Sequence, residues 1–563
     1  MRVLLIQPVF ASVQALERMF QAKEGTIRPV KRINYPLGLL HIGSVLEKNA
    51  VQTNIIDLDR YLFYYMHRDR PQERSLDNFL ETYLVKNIRK YQPDVIGISG
   101  NFNTVAKLIQ RCCERIKEEN PNIINVVGGH YFTNSYKEIL STDQGADYVI
   151  LGEAEEVMMG LVRVLKEGKS SSLNDHPHIV TKDNVRNGQL QGKRVAMVMD
   201  LESLPPINYS LLEEEEDYLS SAQDMHTILP REVSIRAIAL MTSRGCPHSC
   251  TYCASHKVHG KKMRAFSVDR VMRELEDLVG KYDINTLVFE DDLFTYSRKR
   301  TIEFCQKVCD RFGDRFVFDF PNGIAVRTLD DEVVYWLAKA GMKQINLAVE
   351  SGNQYVQDVV IKKRVKLEWV KPVVDILKKY DVLVRAYFII GFPGETLDMM
   401  RDTKNFAKAL KLDWSVFSFA TPIVGSELYE KALRDNHLVT DDMDVSTYFD
   451  FRLKTADWGP DEVIRVQEEA NYEVNFLENY NLVEGNYPKS KLIFEDIVKD
   501  YPQHVIANYC LWKSLRGLGD EKGAALIERR MRELVETDEN SLNIIKRYRL
   551  LSEQPFSYLS AVK

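Results

Sequence analysis

Three cysteines on one short loop, Cys246, Cys250 and Cys253 in RGCPHSCTYCASH, carry the strongest chemical signal in the chain. Three residues separate the first pair and two the second. Thiolates so closely spaced suit a soft metal centre. Structural zinc and ordinary ferredoxin clusters take four protein ligands, and no fourth cysteine follows within the next fifty residues. Three thiolates on a four-iron cluster would leave one iron open to a substrate, which is an arrangement for chemistry rather than electron storage. The alternatives are a zinc knuckle with a distant fourth ligand, or three unrelated core thiols.

The elements that must position this loop can be read from hydrophobic periodicity. From residue 1 to about 170, short apolar runs alternate with helical patterns: RVLLIQ (2–7), QTNIIDL (52–58), DVIGIS (94–99), NVVGG (125–129) and DYVILG (147–152) read as strands. Segments such as PLGLLHIGSVLEK and TVAKLIQRCCERIKEE read as the helices between them. Such alternation predicts a flavodoxin-like, doubly wound α/β sheet with its ligand at the carboxyl edge. That edge carries Asp57 to Asp59, Ser99, Gly128, Gly129, His130, Gly152 and Glu153.

Residues 171–235 predict a linker with a hairpin in PHIVTKDNVRNGQL, and the run Glu213 to Asp217 reads as a solvated acidic loop. A second strand–helix series over 236–430 follows: AIALMTS ending at Ser243, NTLVFED, FVFDFPNG, QINLAVES, VLVRAYFIIG and WSVFSFATP. Six units imply a partial (β/α)6 barrel with its chemistry at the carboxyl ends of the strands. Residues 431–475 read as a helical extension. Over 476–563 Gly485, Leu492, Ile493 and Ile497 recur 34 residues later as Gly519, Leu526, Ile527 and Met531. That period resembles tetratricopeptide repeats, and so few units need another surface to pack on.

The cluster loop, with Tyr252 just before its third cysteine, resembles that of the radical S-adenosylmethionine (SAM) enzymes. The order RVLLIQP, YPLGLLHIGSVLE, Gly128-Gly129-His130 and DYVILGEAEE upstream is similar to the cobalamin (B12)-binding domain of the cobalamin-dependent members, the class B methylases and the anaerobic magnesium-protoporphyrin ester cyclases. The resemblance implies a [4Fe-4S] cluster, SAM cleaved to a 5'-deoxyadenosyl radical, and cobalamin. It implies SAM contacts from Tyr252, Glu290, Asp291, Asp292, Arg327, Glu350, Ser351, Gly391, Pro393 and Gly394. It implies cobalamin contacts from Ser99, Gly128, Gly129, His130, Gly152 and Glu153. The Asp-x-His-x-x-Gly motif that supplies a lower axial histidine is missing. His41 reads as a structural helix residue, and no catalytic residue is assigned.

Carbon methylation is the leading expectation. Cyclisation or rearrangement without methyl transfer, as in the tetrapyrrole cyclases, and a non-enzymatic cobalamin or redox sensor are the alternatives. A net charge of −6 over 563 residues offers no basic field for nucleic acid. No apolar run approaches a membrane span, so a cytoplasmic protein is expected. Its partners would be a small-molecule or lipid substrate, an electron donor such as flavodoxin or ferredoxin, and possible protein contacts through the helical tail. Of the remaining cysteines, Cys305 and Cys309 lie four apart on a predicted helix and read as buried thiols, with a shared metal as the alternative, while Cys112 and Cys113 are adjacent in a helical run and face different directions.

Overall fold

The computed structural model describes residues 1–22, 33–142, 145–221, 234–440 and 451–557. All five expected N-terminal strands form: β1 (Arg2–Gln7), β2 (Gln52–Asp57), β3 (Val95–Ser99), β4 (Ile124–Gly128) and β5 (Tyr148–Ile150). They are near-continuous apolar runs because helices cover both faces of the sheet. The order is β2-β1-β3-β4-β5 with every pairing parallel, and β6 (Ile179–Thr181) is added antiparallel to β5.

β6 corrects the expected hairpin. PHIVTKDNVRNGQL supplies one strand and then turns into the helix Lys182–Arg186, because Thr181 and Asn184 form a reciprocal capping box. The acidic run is corrected as well. Arg60 is almost wholly buried and faces Glu213 and Asp217, while Tyr61 and Tyr91 donate to Glu213 and Tyr64 donates to Asp217. The run is therefore a clamp over the helix Leu58–Tyr64 rather than a solvated loop, and it is drawn in by a cation that would otherwise be buried alone. Asp57 and Asp59 serve the same local structure. Asp57 caps that helix and accepts from Tyr218, and Asp59 accepts from the Phe10 amide, so neither is free for a ligand.

The second series forms β7 (Ala237–Leu240), β8 (Thr286–Phe289), β9 (Val317–Asp319), β10 (Gln344–Glu350), β11 (Leu383–Ile390) and β12 (Trp414–Phe419). They lie in two three-stranded parallel sheets, β9-β8-β7 and β10-β11-β12, joined by a parallel bridge between Ile324 and Leu347. Amphipathic helices at Val268–Tyr282, Arg298–Phe312, Asp331–Ala340, Val370–Lys379 and Leu397–Ala409 occupy the crossovers. One apolar core runs from Val3 and Leu5 through Tyr209 and Tyr218 into Ile238, Leu287 and Leu347, so the two α/β units are packed as neighbours without a gap.

Four helices, Tyr487–Asp500, Val505–Gly517, Glu521–Thr537 and Glu539–Arg547, form the tail around Phe494, Tyr509 and Met531. Gly485 and Gly519 both adopt positive φ (75° and 74°), and Ile493 and Ile527 are both buried, whereas Leu526 is exposed. The tail is held on β12. The buried Asn475 side chain accepts from the Ser415 amide (2.8 Å) and donates to its carbonyl (2.6 Å), and Asn481 donates to Asp413 (2.8 Å). These bonds satisfy the outer edge of the last strand, which would otherwise present unpaired backbone groups.

Candidate active site

Two cavities border the loops at the carboxyl ends of the strands. The first lies between the N-terminal sheet and the loop that follows β7. It is lined by Ser99, Gly128, Gly129, His130, Gly152 and Glu153, the residues expected at that edge apart from Asp57 to Asp59, together with His41, Arg244 and His259. Gly129 has φ +100°, and a Cβ there would come within 2.6 Å of the Gly100 carbonyl. Gly38, on the same wall, has nothing within 4 Å of where its Cβ would stand. Missing side chains thus leave a cradle in which a flat or extended ligand can meet bare backbone.

His41 is 3% exposed, and its Nε2 has no hydrogen-bond partner among the described residues. Burial, helped by the charge of Arg244, lowers its pKa to about 3. An unfolded histidine titrates near 6.5, so below that pH the unfolded chain binds a proton that the folded chain refuses. Stability is then lost as pH falls from about 6.5 toward 3. His41→Leu is expected to flatten this part of the profile, measured as the thermal midpoint between pH 7 and pH 4. An unchanged slope would remove His41 as its source.

A buried ion network stands on the wall of the first cavity. Glu153 accepts from both terminal nitrogens of Arg264 (2.7 Å each), from His259 Nδ1 (2.9 Å) and from the Val198 amide (2.7 Å). Arg244 lies 3.4 Å from Glu153 and donates to Glu155 at 2.6 Å. His259 Nε2 is 3.0 Å from His130 Nε2. Burial would raise the Glu153 pKa, but hydrogen bonds from His259 and Arg264 and the charge of Arg244 outweigh it and hold the carboxyl far below its usual range. Glu153 therefore lines the first cavity with its oxygens already engaged.

The second cavity, about 650 Å³, is lined by Cys246, Cys250 and Cys253 together with Tyr252, Asp292 and Glu350. The cysteine loop is pinned to the turn Val356–Val360 that follows β10 and to the helix Glu427–Arg434. Thr251 N–H donates to the Ile361 carbonyl (3.0 Å), Leu428 N–H to the Thr251 carbonyl (2.7 Å) and Thr251 Oγ1 to Val360 (3.0 Å). Burial raises all three thiols, Cys253 to about 12, so their thiolates need a strongly cationic partner. Among the described residues no three His, Cys, Asp or Glu side chains converge on a point suited to one metal ion.

Ser255 Oγ donates to Asp292 at 2.7 Å, fixing that carboxylate at the rim. Glu350 stands at an irregularity in the pairing of β10 with β11, with φ +73°, and Lys363 meets it at 2.5 Å. A non-glycine residue in that conformation is strained, and here the strain turns the carboxylate into the cavity. Tyr252 packs on Phe392 beside Glu350.

Other expected residues lie outside the cavity. Asp291 is buried and accepts from Thr242 and Ser243, so it holds the start of the cysteine loop. Ser351 is buried against Thr403. Glu290 lies beside Asn322 at the strand end, and Arg327 is exposed on a short 3-10 turn. Gly391 faces the Phe451 ring, where a Cβ would come within 2.7 Å. The turn with Pro393 and Gly394 is closed by Glu395, which accepts from the Gly391 and Phe392 amides. Reading the sequence missed Lys363, Tyr387, Asn322 and His248 on the second cavity and Arg244, Arg264 and His259 around Glu153 on the first.

The sequence matches two family profiles, the B12 binding domain over residues 25–162 and the radical SAM superfamily over residues 240–407. They fall on the two units whose cavities have just been described. The chain belongs to the B12-binding radical SAM enzymes. Its cofactors are a [4Fe-4S] cluster, SAM and cobalamin.

Among its relatives is an uncharacterized methyltransferase of Pyrococcus horikoshii, 25% identical over 92% of this chain and 98% of the relative. The cytidylyl-2-hydroxyethylphosphonate methyltransferase of Streptomyces wedmorensis is 27% identical over 72% and 78%. The anaerobic magnesium-protoporphyrin IX monomethyl ester cyclase of Rubrivivax gelatinosus is 27% identical over 62% and 60%. The enzyme shares its fold with the cobalamin-dependent SAM radical enzyme OxsB, with a TM-score of 0.63 at 16% identity over 98% of this chain and 84% of that one. It also shares it with the radical SAM methyltransferase TsrM of Kitasatospora setae, with a TM-score of 0.54 at 16% identity over 95% and 100%. No helix among the described residues is long and apolar enough to cross a membrane.

Proposed function

We propose that the enzyme methylates an unactivated carbon of a small-molecule or lipid substrate, with SAM as both radical source and methyl donor. One observation carries this reading. Arg244, His259 and Arg264 flank the cysteine loop in sequence, and all three meet Glu153 on the wall of the glycine-walled cavity, so a corrinoid and a cluster held by these two units would address one substrate. When bound, these cofactors supply reductive cleavage of SAM and delivery of a methyl group, chemistry that the side chains cannot perform.

The chain's own residues bind and orient. Cys246, Cys250 and Cys253 would hold the cluster. Asp292, steadied by Ser255, would accept from the SAM ammonium, and Glu350 from the ribose hydroxyls. Tyr387, Ile389 and Phe419 give the second cavity an apolar wall that would keep water from a radical. Ser99, Gly128, Gly129, His130 and Gly152 would border the cobalamin. The six strands of the second unit serve as a partial barrel, the tail as a tetratricopeptide-like buttress, and the compartment is the cytoplasm with a flavodoxin or ferredoxin as reductant.

The cyclase relative, as similar in sequence as the phosphonate methyltransferase, keeps ring formation as the second reading. Anaerobically reconstituted enzyme, reduced and given SAM with extract of its own cells, is expected to release 5'-deoxyadenosine together with S-adenosylhomocysteine. With methyl-deuterated SAM the label should enter a product heavier by one methylene. Deoxyadenosine without S-adenosylhomocysteine or labelled product would overturn methylation and favour cyclisation.

A further inference from the structure

The ion network on the first cavity's wall fixes the protons of two histidines as well as the place of Glu153. Within it, Arg244 and Arg264 set two cations against the two carboxylates of Glu153 and Glu155. A further buried cation at His259 would be in excess and would bear its desolvation cost without a partner of its own. His259 is therefore the neutral ring, and its Nδ1 carries the proton that Glu153 accepts at 2.9 Å. A neutral imidazole has a single N–H, so the Nε2 of His259 is bare. The 3.0 Å contact between the Nε2 atoms of His259 and His130 then needs its proton from His130. That leaves His130 Nδ1 with a lone pair and, among the described residues, no hydrogen-bond partner.

The residue that offers this lone pair is held firmly. His130 opens a short helix directly after Gly129, its amide donates to the Asn101 side chain (3.3 Å), and its carbonyl accepts from the Asn134 side chain (2.9 Å). Its ring meets that of His259 edge-on, with centroids 4.9 Å apart, and both rings line the glycine-walled cavity. An imidazole tied through one nitrogen to a carboxylate chain, with the other nitrogen bare, has the anchoring that fixes the tautomer of metal-ligating histidines and raises their basicity. His41 shares the wall without the anchoring. Its Nε2 has no hydrogen-bond partner among the described residues, so no carboxylate holds that nitrogen.

We propose that His130 Nδ1 is an axial nitrogen ligand of the cobalt, with His259 and Glu153 as its outer partners. The inference rests on the reading that cobalamin borders this cavity. The sequence lacks Asp-x-His-x-x-Gly, and the fold instead brings a carboxylate and two histidines together from the segments that follow β5, β4 and the cysteine loop. Ligation forms one Co–N bond from the imidazole lone pair and displaces whatever held that position, water or the cofactor's own base. No electron or proton is transferred.

The test uses the full-length protein labelled with 15N-histidine, loaded with unlabelled cobalamin and reduced to the cobalt(II) state. The unpaired electron of that state lies along the axial direction, so an axial nitrogen splits the cobalt resonances in its electron paramagnetic spectrum. A doublet from 15N is expected, in place of the triplet that 14N in the cofactor's own base would give. His130→Ala should lose the doublet, and unlabelled imidazole added to that variant should restore a splitting, now as a triplet. His41→Ala should keep the doublet. His259→Phe removes the outer partner and should weaken cobalamin binding about 10–100-fold; an unchanged affinity would break the chain on which the assignment stands. A triplet or an unsplit spectrum in labelled wild type, a doublet that survives in His130→Ala, or one lost in His41→Ala instead, would show that His130 is not the ligand while cobalamin binding stands. Protein that retains no cobalamin by absorbance would overturn the cobalamin assignment itself, and the ligand with it.

Discussion

Cys250→Ala is expected to reduce 5'-deoxyadenosine release to the level of a protein-free control, with iron and sulfide content falling in parallel. The loop cannot compensate by moving. Thr251 beside Cys250 is bonded to Ile361 and Leu428, the Cys246 amide donates to the Gly260 carbonyl at 3.2 Å, and the Cys253 amide donates to the Cys250 carbonyl at 3.1 Å. A pinned loop that loses one of three thiolates leaves a two-point attachment for a cluster that already has one iron without a protein ligand. Loss of a supporting group around a metal costs about 10–100-fold, and removal of a ligand itself should exceed that range. Cys305→Ala is the control. Cys305 is buried in the helix Arg298–Phe312, where burial raises its pKa, and its loss should leave the cluster intact. Full deoxyadenosine release by Cys250→Ala would overturn the cluster assignment.

That loop was readable because its spacing is local. Three thiols within two turns of chain state their ligand count without any knowledge of the fold. The strands were readable for a similar reason: parallel strands buried on both faces are written as unbroken apolar runs, and all eleven expected segments became strands. Once their ends were known, the carboxyl edge placed Ser99, Gly128, Gly129, His130, Gly152 and Glu153 together, and one cavity gathers them.

What could not be read is what a polar residue at a strand end is used for. Asp291 and Asp292 are adjacent and chemically alike, yet one is turned inward to hold Thr242 and Ser243 while the other faces the cavity. Alternation along an extended chain sends neighbours to opposite sides, and the side that faces the ligand is fixed only by the sheet's final curvature. Lys363 was invisible for a different reason. It gains meaning from Glu350, whose unusual φ no residue type announces. His259 and Arg264 were hidden because their partner Glu153 is more than a hundred residues away.

Their pairing carries the second large prediction, that Glu153→Ala uncouples the two halves of the proposed reaction. Arg264 and Arg244 are 6% and 4% exposed, and without Glu153 their remaining partners among the described residues are Glu155 and the Val198 and His259 carbonyls. Removing one partner from a buried ion group costs ~3–5 kcal/mol, since the other charge stays desolvated. That cost falls on the contact between the cobalamin unit and the loop carrying His259, whereas the cysteines are held independently through Thr251. Deoxyadenosine release driven by dithionite should therefore survive, while methylated product per deoxyadenosine should drop more than about tenfold, the size of effect that misplacing reacting groups by an ångström produces.

The pH dependence has a defined sign. A carboxyl held below its ordinary pKa stabilises the fold fully above the unfolded value, near 4.3, and the contribution fades as pH falls toward the depressed one. Wild type should lose this increment only in strong acid, and Glu153→Ala should lack it at every pH above about 4. Glu153→Asp keeps the charge on a shorter arm and should recover stability more fully than coupling. Equal loss of deoxyadenosine and product in Glu153→Ala would show a global defect instead, and the network would then be structural glue with no part in setting the distance between the two cofactors.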